Sequence, residues 1–109
     1  MTWDAFKNQD RLLREIDGKS RYRKEHLYRI KVGQANGSKT MAGMLAGEIA
    51  FLEELLGIGG YSTTPEQFLA ELDSIATNPL PHLDADGRRG WEIAVRSERG
   101  VMKRYTEAK

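Results

Sequence analysis

The stretch from Lys39 to Leu56 constrains the fold more than any other part of the chain. Met41, Met44, Leu45, Ile49, Leu52, Leu55 and Leu56 recur at the spacing of a helix with a broad apolar face. Between them runs a ridge of small residues: Ala42, Gly43, Ala46, Gly47 and Ala50. Glycine inside a helix costs about 1 kcal/mol relative to alanine. Two glycines four apart therefore predict that a second backbone packs closely against this ridge. Glu48, Glu53 and Glu54 interrupt the apolar run, which is not the pattern of a membrane span.

The segments on either side read as further helices. Thr2 is a candidate cap for a helix from Trp3 to Asp17, with Gly18 as its stop. Ser20 would cap a second helix from Arg21 to about Gln34. Within that segment Tyr28 to Val32 also alternates as a strand would. Asn36-Gly37 signals a turn, and Ser38 is the expected cap of the central helix. Thr64-Pro65-Glu66-Gln67 is the clearest local signal: a capping residue, proline at the first helical position, and a glutamine placed to close a capping box. Asn78-Pro79-Leu80-Pro81 forbids helix and opens a loop to about Gly87. From Arg88 onward a helix with Arg88, Glu92, Arg96, Arg99 and Lys103 on one side competes with a hairpin turning at Gly100. The expected fold is all-α, a single domain over 1–109 with four to five helices. The alternative is an α+β fold with a small sheet from 26–32, 91–96 and 101–106.

Charge is segregated along the sequence. Residues 1–39 carry ten Lys or Arg and five acids; residues 40–86 carry eight acids and no base; residues 87–109 carry seven bases and three acids. The net charge of +1 conceals this pattern. Either the basic ends fold against the acidic middle, which is the favoured reading, or opposite faces meet on different molecules.

Catalytic chemistry finds little support. The absence of cysteine excludes disulfides, thiolate metal sites and cysteine nucleophiles. His26 and His82 are too far apart in sequence to form a local metal pair. Gly33 to Thr40 lies one substitution from a phosphate-binding loop, with Ser38 where the second glycine belongs, and is better read as a turn and a helix start. Glu48, if buried, predicts a basic partner such as Arg14 or Arg29. No catalytic residue, metal ligand or cofactor is assigned.

The expected function is therefore a non-enzymatic interaction or assembly protein, self-associating, for example a small structural component of a phage or other multi-protein particle. Met41, Gly43, Met44, Gly47, Glu53 and Glu54 are the candidate contact residues. The alternative is a nucleic-acid-binding module. In that reading Lys19, Arg21, Arg23, Lys24, Arg29 and Lys31 neutralise phosphates and the interleaved Tyr22 and Tyr28 stack on bases. The opening residues, Met1 to Lys7, lack the apolar run of a secretory signal, so the expected compartment is the cytoplasm, or the host cytoplasm and particle for a viral chain.

Overall fold

The computed structural model describes residues 2–34 and 36–106, which form four helices and no strand. They are α1 (Ala5–Lys31), α2 (Ser38–Gly59), α3 (Pro65–Ala76) and α4 (Ala85–Thr106). The all-α reading holds, and the tail is a helix, with Gly100 inside α4 rather than in a hairpin turn.

Two expected helices are one. α1 starts later than expected, at a cap made by Asp4, whose carboxylate accepts the Lys7 amide at 3.0 Å. It then runs straight through Gly18. A glycine stops a helix by adopting the left-handed region, and only Gly33 and Gly37 do so, at φ 81° and 71°. Ion pairs on both sides of Gly18, Asp17 with Arg21 and Glu48 with Lys19, hold the turn helical. The true stop is Gly33. Its amide reaches the Ile30 carbonyl and the Gln34 amide reaches the Arg29 carbonyl, a Schellman closure that needs the left-handed residue.

Ser38 is not the cap of α2. Gly37 takes that position in the left-handed region and offers no side chain, while Ser38 turns inward and is buried. α3 follows the sequence reading closely: the Gln67 amide donates to Thr64 Oγ1 at 3.1 Å, and the Thr64 amide donates to Gln67 Oε1 at 3.3 Å. α4 begins three residues earlier than expected because Asp84 caps it, accepting the Gly87 amide at 2.8 Å.

α1 runs antiparallel to α2, as the pairings Lys19 with Glu48, Arg23 with Ala42 and His26 with Ser38 show. α4 runs alongside α2 in the same direction, from Asp86 beside Gly43 to Trp91 beside Phe51. The close approach predicted from the glycine ridge is real, and its partner is α4. A Cβ on Gly47 would fall onto the Gly87 carbonyl, and one on Gly90 onto the Met44 carbonyl. No Cα of α1 comes within 8 Å of one in α3 or α4, so side chains alone bridge that gap.

The core is gathered at one end. Leu12, Phe51, Leu52, Leu55, Phe68, Leu72, Trp91 and Met102 are its fully or almost fully buried members, each worth about 1.5–3 kcal/mol by burial. Trp3 closes that end, donating from Nε1 to the Ser62 carbonyl at 2.8 Å and packing edge-on to Tyr105. Among the described residues none between 17 and 49 belongs to this core. The second half of α1 and the start of α2 therefore extend past it as a two-helix arm. This gives the molecule its long dimension of 50 Å against 24 and 22 Å. Its radius of gyration, 14.9 Å, exceeds the roughly 13 Å of a compact chain this long.

Candidate functional site: the basic arm

The arm contains a buried polar contact beside the buried Ala42 and the half-buried Ile30 and Met41. His26 Nδ1 lies 3.0 Å from Ser38 Oγ, both side chains are buried, and Tyr22 stands edge-on to the imidazole at 4.6 Å. Nε2 of His26 is buried without a hydrogen-bond partner among the described residues. A histidine beside a serine hydroxyl has the look of a base and its nucleophile. Ser38 is only 1% exposed, however, so a substrate has no route to it, and the pair serves as a clasp.

Four bases of the body are paired, and Lys7, Arg88, Arg89, Arg96, Lys103 and Arg104 are exposed and make no ion pair with the described residues. On the body half of α1, Arg11 makes a two-pronged pair with Glu98 at 2.9 Å, Arg14 pairs with Asp10, and Lys19 lies 3.2 Å from Glu48. Lys19, not Arg14 or Arg29, is thus the partner that Glu48 required. Lys19 on Glu48 and Arg99 on Asp73, the latter at 2.8 Å, join each basic end of the chain to its acidic middle, while Arg11 on Glu98 joins the two ends to each other. The arm is another matter. Residues 20–42 carry six bases and one acid, Glu25. Arg21 pairs with Asp17 one turn away and Arg23 donates to the Ala42 carbonyl. Lys24, Arg29, Lys31 and Lys39 are exposed and make no ion pair with the described residues.

Helical spacing sets Arg21, Lys24, Tyr28 and Lys31 in one outward row about 15 Å long. Tyr28 is 64% exposed in the middle of it. Beside the row, Lys24, Glu25, Tyr28, Arg29 and Gln34 line an open groove of about 410 Å³. Gln34 was not singled out from sequence; the closure at Gly33 turns the chain back and brings it there. α4 also shows bases outward, Arg88, Arg89, Arg96, Lys103 and Arg104 among them, but Arg99 is paired there and Glu92 and Asp86 share the helix.

The other candidate contact residues are divided. Gly43, Met44 and Gly47 face α4, with Gly47 buried and Gly43 and Met44 half-buried, so α4 of the same chain covers part of the ridge expected to meet a second copy. Met41 is half-buried near the arm. Glu53 and Glu54 lie further along α2, where with Ala50, Ile58, Leu80 and His82 they line a groove of about 520 Å³. The loop resembling a phosphate-binding motif connects two antiparallel helices, without the preceding strand that motif requires; its Ala35 lies outside the described residues.

No described helix is long and apolar enough to cross a membrane. Comparison with family models, curated proteins and solved structures finds no match.

Proposed function

We propose that this chain is a non-enzymatic interaction protein whose working surface is the arm, where it docks an anionic partner. One observation carries the reading: on a narrow two-helix arm whose one acid between residues 20 and 42 is Glu25, four exposed bases make no ion pair with the described residues, whereas the unpaired bases of α4 share that helix with Asp86 and Glu92. Self-repulsion among like charges held on a narrow hairpin disfavours the folded state, and an anionic partner relieves it. The test is retention on an immobilised polyanion such as heparin. Lys24→Glu with Lys31→Glu should elute at clearly lower salt than Arg96→Glu with Lys103→Glu, which changes the net charge equally on α4. Equal elution of the two variants would refute the arm as the working surface.

Self-association is a second reading, favoured by a different feature. Phe6 and Tyr61 are 74% and 59% exposed yet meet edge-on at 6.1 Å, an aromatic pair open to solvent at the body end. Light scattering after size exclusion tests it: a mass that is a multiple of 12.3 kDa and falls to the monomer with Phe6→Ser supports it, and a monomeric wild type refutes it.

A further inference from the structure

Resting on the reading of the arm as the working surface, we infer that its partner is single-stranded nucleic acid, gripped by the Arg21, Lys24, Tyr28 and Lys31 row and the groove beside it. Charge alone would suit any polyanion; the aromatic ring is what narrows the choice. The Tyr28 ring, 64% exposed inside a basic row, is left largely uncovered by the fold. It is placed as stacking platforms are placed, between cations that follow a backbone.

The groove supplies what a base edge needs. Gln34 carries both a donor and an acceptor, Arg29 adds donors, and Glu25 accepts, as an exocyclic amine requires. A sulfated polysaccharide presents anions but no flat face for Tyr28 and few edges for Gln34. Duplex DNA keeps its base faces stacked inside, where this ring cannot reach them. Lys24 and Lys31 flank Tyr28 at four and three residues' separation along the helix, so phosphates on either side of a stacked base have a cation each.

The test is fluorescence anisotropy of labelled DNA and RNA strands of about 20 nucleotides, and of the matching duplex, at about 50 mM salt and upward. The wild type should bind strands in preference to duplex. Its log affinity should fall with log salt at a slope of about −2 to −3, the value for three to four phosphates on a single strand. Tyr28→Ala should weaken strand binding by about five- to a hundredfold while leaving that slope in place, because it removes stacking and no charge. Lys24→Glu with Lys31→Glu should abolish binding, whereas Arg96→Glu with Lys103→Glu should retain most of it. Each of these side chains is exposed, and a matching circular dichroism melt confirms that the variants fold.

Preference for duplex, or strand binding indifferent to Tyr28, would overturn the inference. Arm-dependent heparin retention without strand binding would also overturn it, while leaving the arm as the working surface. Loss of a wild-type oligomer in the arm variant, again without strand binding, would assign the arm to the acidic face of a second copy. Heparin retention indifferent to the arm would remove both.

Discussion

Gly47 of α2 and Gly87 of α4 meet backbone to backbone, with no room for a methyl group between them. This contact sets how closely the two core helices approach, and through them where Phe51 and Trp91 meet edge-on at 5.1 Å. It also turns the glycines of this chain into a controlled series.

Gly47→Ala and Gly90→Ala must each force the helices apart. The alanine gain of about 1 kcal/mol in helix propensity is outweighed by overpacking against backbone, which costs about 1–3 kcal/mol or more. Gly18→Ala and Gly100→Ala place the same methyl group on helical backbone with nothing within 4 Å, so each should stabilise by roughly 0.5–1 kcal/mol. Urea denaturation of the four variants should give opposite signs for the two pairs.

Arg11 and Glu98 form the main polar bridge from α1 to α4, and Glu98 is 3% exposed. Arg11→Met leaves that carboxylate buried without its cation and should cost about 3–5 kcal/mol. Adding Glu98→Leu removes the stranded charge and should restore most of the loss. A double-mutant cycle in urea measures the coupling directly.

The clasp at the root of the arm behaves as a neutral version of the same problem. Ser38→Ala takes away the one hydrogen-bond partner of a buried imidazole, at a cost of about 1–3 kcal/mol. Because no member of the main hydrophobic cluster lies in this region, hydrogen exchange should show the loss as faster opening of residues 20–42, with the α2–α4 contact still protected.

If the outward bases of the arm are not structural, reversing them should not harm the fold. Lys24→Glu with Lys31→Glu should leave the melting temperature unchanged or raise it, since like charges are relieved and no ion pair is broken. A fall of several degrees would show that these lysines support the fold.

The parts of this architecture legible in sequence are those decided within a few residues. Thr64, Pro65 and Gln67 write the start of α3 almost completely, since a capping box involves no distant partner. Gly18 misleads for the converse reason: whether a glycine ends a helix depends on what holds the next turn. Here that is Lys19 on Glu48, 29 residues away. The ridge at Gly43 and Gly47 announces a close neighbour but not which one, because Gly87 and Gly90 meet it only after α3 has turned the chain back. Ser38 has the right chemistry for a cap and is instead drawn inward by His26. The basic row of the arm was visible as a list of residues. That Lys24, Arg29, Lys31 and Lys39 lack an ion pair among the described residues was not, since that depends on which acids the fold brings near.

The most direct measurement is amide chemical-shift mapping of the isotope-labelled protein on titration with a short single strand at low salt. Shifts should concentrate in residues 20–34 and the first turn of α2, with Tyr28 and Gln34 among the largest and α3 unmoved. Shifts centred on α4, spread evenly over the surface, or absent altogether would contradict strand binding by the arm.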